Sequence, residues 1–197
     1  MARPKPDADK IRREMISIAE TLLAESGGQR LILSDVAQRM NISQSYAHRF
    51  FATKKDLVAA MATHWFQEVE FETAKIIQSS LNKNEKLEAF ILAILTIKRN
   101  KYDENPAMFR AYLAMAQDHL DIVERHTSKL TEQLTEILNG IVSTDDLNEA
   151  VSLVEDATAM FRIPHMIALY RAKATDKRAK AVVAVLLEHL LTSVKPS

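Results

Sequence analysis

The chain has no cysteine, only three glycines and only five prolines among its 197 residues. Without cysteine it can hold no disulfide, no thiolate-ligated zinc and no cysteine nucleophile. With so few breakers, and with abundant Ala, Leu, Glu, Lys and Gln, little interrupts a helix and much extends one. The expected fold class is therefore all-α. Long apolar runs are lacking too. The longest, residues 89–95 and 181–187, are seven residues each, where a membrane span needs roughly 20. The opening Met-Ala-Arg-Pro-Lys-Pro-Asp has no apolar segment of the secretory kind, so a cytoplasmic location without a membrane partner is expected. A glycine-rich phosphate loop, a Gly-x-Ser-x-Gly elbow and a His-Glu-x-x-His pair are absent as well. With no chemical anchor for catalysis, neither an enzyme activity nor a cofactor is expected.

Neither sign of charge dominates, since 26 Lys/Arg balance 26 Asp/Glu. The distribution is uneven, with ten basic against six acidic residues through Lys55 and sixteen against twenty afterwards. A basic N-terminal quarter beside a mildly acidic remainder suits a nucleic-acid-binding head, residues 1–55, on a body, residues 56–197, that need not touch DNA.

Apolar periodicity divides the chain into about nine helices. The first, near residues 8–26, carries Ile11, Met15, Ile18, Leu22 and Leu23 on one stripe and ends at Gly27-Gly28, which accept left-handed backbone. Two short helices follow, near 35–40 and 44–50, the first with Ser34 as its cap and the second with Ser43. Thr53 and Asp56 form a cap with a third-residue acid, opening a long helix to about residue 80. Further helices are expected near 84–103, from Pro106, near 120–141, near 145–170 with a kink at Pro164 and a cap at Thr144 or Asp145, and near 176–191.

Two short helices joined by the tight turn Asn41-Ile42 make a helix-turn-helix pattern. Ala37 belongs where the helices cross, Ile42 plugs the turn, and the second helix exposes Gln44, Ser45, Tyr46, His48 and Arg49. Amide, hydroxyl, phenol and guanidinium on one short face are groups that read base edges and hold phosphates.

Residues 35–57, DVAQRMNISQSYAHRFFATKKDL, closely resemble the DNA-binding signature of the TetR family. They match it in unbroken register at Asp35, Val36, Ala37, Ile42, Ser43, Phe51, Lys54 and Leu57, with Thr53 a near match. They depart from it at Met40, Asn41, Ser45, Ala47, His48 and Phe50. Asn41 can still take the left-handed turn usually given to glycine, whereas His48 stands where the family usually has a phosphate-contacting tyrosine. The similarity covers about residues 10–58. The stretches Asn105-Pro-x-Met-Phe-x-x-Tyr-Leu113 and Ala159-x-Phe-Arg-x-Pro-His165 look like one subset of the family's C-terminal domains.

The resemblance implies an N-terminal three-helix DNA-binding domain and a larger helical domain for effector binding and dimerisation. By it, Gln44, Ser45 and Tyr46 correspond to base readers, and His48, Thr53 and Lys54 to phosphate contacts, with Ser34 and Arg49 as additions. Arg3 and Lys5 would reach an adjacent minor groove. The last two helices, bearing Leu147, Val151 and Val154 and the apolar segment 181–191, would pair in a homodimer, unless they are buried within one subunit. Effector-pocket candidates are His64, Phe109, Tyr112, Met115, His119, Met160, Phe161 and His165, each of which serves equally as core or, for the histidines, as surface. Asp118, His119, Asp121 and His126 read as a solvated helix junction rather than a metal site. The function implied is a ligand-responsive repressor that binds a palindromic operator on double-stranded DNA as a homodimer and answers to a partly apolar small molecule. The alternative is a helical adaptor that recruits another protein.

Overall fold

The computed structural model describes residues 7–193. Among them are eleven helices and, apart from an isolated bridge between Asn139 and Val142, no extended pairing. In chain order they are α1 (Ala8–Glu25), α2 (Leu33–Arg39), α3 (Gln44–Ala47), α4 (Lys54–Gln78), α5 (Lys83–Glu104), α6 (Pro106–Gln117), α7 (Leu120–Leu138), α8 (Leu147–Ala157), α9 (Ala159–Arg162), α10 (Pro164–Leu169) and α11 (Asp176–Ser193). None is long and apolar enough to cross a membrane. They form two compact units: residues up to Trp65 with Asn105–Ile122, and Phe66–Glu104 with Val123 onward.

The first unit grows from α1. Asp7 caps it by accepting from the amides of Asp9 and Lys10. At its other end the Gly28 amide reaches back to the Leu23 carbonyl (2.7 Å) and the Gly27 amide to Ala24 (3.0 Å), a double closure that requires the positive φ both glycines adopt. Gly28 also lies hard against α6: a Cβ there would come within 2.9 Å of the Ala111 Cβ. Met15, Ile16, Ala19 and Leu23 of α1 are buried, as are Leu33, Val36 and Ala37 of α2, Ala47 of α3, and Phe51, Leu57 and Met61. Burying each of the larger side chains contributes about 1.5–3 kcal/mol.

The second unit has a continuous core built on Leu87, Phe90, Ile91, Ile94 and Leu95 of α5, with Leu134, Ile137 and Leu138 of α7, Val154 of α8, Phe161 of α9 and Val183 and Leu186 of α11. Residues on α5 meet α9, α10 and α11, and α8 meets α9 and α11.

Several expected boundaries move. The single kinked helix near 145–170 is three helices, α8 to α10. Pro164 has no N–H to continue α9 and drives Ile163 into extended backbone (ψ 121°), so α10 starts afresh with proline in its first turn. The earlier break falls at Thr158, whose hydroxyl donates to the Val154 carbonyl and accepts from Arg162 Nε. Neither Thr144 nor Asp145 caps α8. Asp146 precedes it without a side-chain cap bond and instead accepts from the Ser143 hydroxyl. Ser34 is no cap either: Ile32 stands in that place, and Ser34 lies inside α2 with its hydroxyl on Asp35. The recognition helix is shorter than expected, with residues 48–50 continuing as turns closed three residues back, Arg49 to Tyr46 and Phe50 to Ala47.

Candidate nucleic-acid interface

The geometry of α2 and α3 follows from two local devices. Asn41 takes φ 55°, and the turn closes through Ile42 N–H on the Ala37 carbonyl and Asn41 N–H on Gln38, 3.0 Å each. Ser43 then caps α3, its hydroxyl oxygen accepting from the Tyr46 amide at 3.2 Å. With Ala47 buried, the remaining face of α3 turns outward: Gln44, Ser45, His48 and Arg49 are exposed and Tyr46 is half-buried. Tyr46 packs edge-on against Phe50 and lies beneath the Arg49 guanidinium. The Ser45 hydroxyl sits 3.1 Å from that of Ser43.

Thr53 and Asp56 form the reciprocal cap at the start of α4. The Thr53 amide and hydroxyl donate to the Asp56 carboxylate at 2.9 Å, and the Asp56 amide donates to the Thr53 hydroxyl at 3.1 Å. This places exposed Lys54 in the first turn of a 25-residue helix, where free amides and the helix dipole favour an anion. Ser34, Gln44, His48 and Lys54 line one shallow depression with Leu31, Ile32 and Leu33. Four of the eight DNA-contact candidates are thus side by side. Arg3 and Lys5 lie outside the described residues.

His48 is constrained in a way its position in the motif does not reveal. Its Nδ1 is 3.0 Å from the Ala52 carbonyl. A carbonyl only accepts, so Nδ1 carries the proton, and Nε2 becomes a donor only when the ring is protonated.

Two further residues hold this motif in place. Arg12 on α1 donates to the Phe50 carbonyl and lies 4.4 Å over the Phe51 ring. Arg39 makes a two-pronged pair with Glu25, at 2.8 and 3.2 Å, tying α2 to α1. Sequence reasoning missed both. The signal was weak, since each is a basic residue on an otherwise solvated face.

Elsewhere in the first unit, Trp65 stacks on Tyr112 (5.4 Å) and meets Phe109 edge-on (5.6 Å). The Tyr112 hydroxyl donates to Glu20 on α1, and the same Glu20 oxygen lies 3.2 Å from His64 Nδ1. Burial and the Glu20 carboxylate raise the Tyr112 phenol, keeping it a donor. Of the effector-pocket candidates, Phe109, Tyr112 and His119 are buried in this unit, Met115 is half-buried and His64 is exposed. Met160, Phe161 and His165 belong to the second unit, where Phe161 is buried, Met160 half-buried and His165 exposed. The junction of Asp118, His119, Asp121 and His126 is not solvated at its histidines, which are 5% and 3% exposed. The sequence marks His126 by its place on the apolar stripe Ile122, Leu130, Leu134 and Ile137, and Lys98 by its place after Ile94 and Leu95. Among the described residues no group of three or more potential ligands could hold a metal ion.

Helix α11 leaves apolar groups in water. Val185 and Leu191 of α11 are 67% and 51% exposed, and Ala181 and Ala184 are exposed beside them. On α8, Glu149, Ala150 and Leu153 line a depression shared with His189 and Leu190 of α11.

Residues 83–183, half of the chain, match the family model described as the tetracyclin repressor-like C-terminal domain. The chain belongs to the TetR family. It carries the fold of TetR-family transcriptional regulators, and solved structures agree along nearly its whole length. A transcriptional regulator from Rhodococcus is similar with a TM-score of 0.66 at 16% identity, covering 94% of this chain and 99% of that one. A TetR regulator from Legionella pneumophila gives 0.54 at 20%, covering 99% of both chains. A ketosteroid transcriptional regulator of Mycobacterium tuberculosis gives 0.55 at 19%, covering 91% and 94%. No curated protein matches the sequence.

Proposed function

We propose that this TetR-family protein is a ligand-responsive transcriptional repressor that binds a palindromic operator as a homodimer and has no catalytic role. The observation that carries the reading is the outward face of α3, a capped turn of helix presenting Gln44, Ser45 and Tyr46 beside Lys54 at the start of α4. In this reading those three side chains read base edges, while Thr53, Lys54, Arg49 and Ser34 hold phosphates, with His48 beside them. One such face covers only a few base pairs, so a second copy is required, about 34–36 Å away along the duplex. The exposed Val185, Leu191, Ala181 and Ala184 of α11, with Leu153 of α8, support a four-helix contact between two copies.

Effector binding in the helical body acts by favouring one of two states. Within the first unit a path to the DNA-binding helices exists: α6 presses on Gly28 and bonds α1 through Tyr112 and Glu20, and Arg12 on α1 grips the end of the recognition motif. A displacement of α6 would therefore move α1 and the motif together.

Operator DNA selected from a random pool tests the reading by gel-shift. Retardation should be sequence-specific and fall steeply with salt. Gln44→Ala should relax base preference, whereas Lys54→Ala should weaken binding to all sequences alike and lower the salt slope by about one. Failure to enrich any sequence, or retention indifferent to salt, refutes the DNA-binding role.

A further inference from the structure

Among the described residues, two buried side-chain atoms lack a hydrogen-bond partner, His126 Nε2 and Gln133 Oε1. Both are on α7, two helical turns apart. His126 is 3% exposed, stacked at 4.1 Å on the ring of Phe66, with Nδ1 2.9 Å from Glu70. The carboxylate accepts, so the proton is on Nδ1 and Nε2 presents a bare lone pair. Gln133 Oε1 is likewise an acceptor. Both orphan atoms therefore call for a donor that the protein does not supply.

The same unit holds the opposite imbalance. Lys98 is 4% exposed, and among the described residues its ammonium donates only to the Arg162 carbonyl, at 2.7 Å. Its field is felt at the His126 ring, where it helps burial disfavour the charged imidazole. Three carboxylates serve this region, one of them Asp156, whose charge acts on Arg162. Glu70 pairs with Lys129 at 2.8 Å, and Glu155 with Arg162 at 3.8 Å while accepting from Thr131. Lys98 is the cation left over. A buried ammonium without a counter-charge costs several kcal/mol, and among the described residues only one acceptor meets its three N–H donors.

A surplus buried cation and a bare buried acceptor within one helical unit define the complement of a ligand. We propose that the second unit binds a small hydroxylated carboxylate in its interior, the carboxylate on Lys98 and the hydroxyl donating to His126 Nε2, and that this ligand is the effector. The last clause rests on the ligand-responsive reading above, whereas the site itself does not. Its components come from α5 and α7, and the Lys98 ammonium holds the end of α9, just before the Pro164 break. A carboxylate that captured Lys98 would loosen that joint, giving the ligand unequal affinity for two packings of the same helices.

Calorimetry on the full-length protein without DNA tests the site with two series: 3-hydroxyoctanoate, octanoate and 3-hydroxyoctanamide, and 4-hydroxybenzoate, benzoate and 4-hydroxybenzamide. In at least one series the hydroxy acid should bind best and the uncharged amide at least about tenfold more weakly. Lys98→Met should lose at least about tenfold in affinity for the acids. His126→Phe, which keeps the stacked ring, should lose the preference for hydroxy acid over plain acid yet keep the preference for acid over amide. Helical circular dichroism and a cooperative melt establish that each variant folds, and either one alone suffices for the test. An amide that binds as tightly as its acid, unchanged affinity in Lys98→Met, or no binding in either series up to about 5 mM overturns the proposal. Adding selected operator DNA separates the two claims. Hydroxy acids that bind without altering DNA retention leave the site standing and remove the effector role. Retention that responds only to uncharged compounds removes the site and leaves the repressor reading intact.

Discussion

The recognition motif and the interior of the second unit both hold polar groups with unused hydrogen-bonding capacity, but they hold them in opposite solvents. On α3, Gln44, His48 and Arg49 stand in water, which satisfies them until a partner displaces it. Around α5 and α7, Lys98, His126 and the Oε1 atom of Gln133 are withdrawn from water, and among the described residues His126 Nε2 and Gln133 Oε1 have no partner. The first arrangement costs the folded state little; the second is a standing destabilisation that only a ligand or a mutation can remove. The same kinds of side chain thus have different consequences: under the proposed function those outside set affinity and specificity, and those inside set stability as well.

The comparison breaks most severely if the motif's frame fails. Phe51 is 1% exposed beneath Arg12, so Phe51→Ala should cost about 3–5 kcal/mol, read as a lowered denaturation midpoint. A loss under about 1 kcal/mol would mean the frame does not depend on that ring.

Next in size is the acid response. Burial, aided by the Lys98 ammonium and opposed by Glu70, pushes His126 down to about 4. A histidine depressed in the fold takes up its proton preferentially in the unfolded chain. Stability is therefore full above the unfolded value of about 6.5 and falls as pH drops toward 4, by about 3 kcal/mol in all. Glu70 acts in the same sense: burial alone would raise it, but hydrogen bonds from Lys129 and His126 outweigh burial and hold it low. Melting curves from pH 7 to pH 4 should show the loss, and His126→Phe should flatten it. An equally steep profile in that variant would place the titration elsewhere.

Lys98 sharpens the contrast by sign. Burial, with the nearby Arg162 guanidinium, pushes it down to about 7. Lys98→Met removes the buried charge and should stabilise the ligand-free protein by about 1–3 kcal/mol, whereas Lys54→Met on the exposed face should stay within about 0.5 kcal/mol. Equal shifts for the two would erase the distinction between the regions.

The smallest expected effect concerns DNA binding itself. Because the His48 Nδ1 proton is committed to Ala52, His48→Ala should weaken operator binding by no more than about two- to fivefold. Gel-shift titrations of the two proteins decide it, and a loss above about tenfold would give His48 a larger part than this geometry allows.

How legible the molecule was depends on where its information lies. Ser43, Thr53 and Asp56 act on backbone within three or four residues, so spacing alone foretold their roles and the structure agrees; the left-handed turn at Asn41 followed from the family resemblance, and Asn41 takes it. The breaks at Thr158 and Pro164 were half legible. Proline announces an interruption, but only the Thr158 hydroxyl's bonds to Val154 and Arg162 show a second one. Least legible were Lys98 and His126, which sit on apolar stripes where a charged or titratable residue looks like an irregularity. Their meaning depends on partners 28 or more residues away, Glu70 and Arg162 among them.

Asn41 has one further consequence. It is the one non-glycine residue with positive φ among those described, and it occupies the turn between α2 and α3. Asn41→Gly would relieve a conformation that L-residues resist, stabilising the fold by a few tenths to about 1 kcal/mol, with no contact altered. The joint on which the recognition helix hangs is therefore less tightly sprung than it could be. That slack gives selection, or an engineer, a single position from which to stiffen the reading head without touching what it reads.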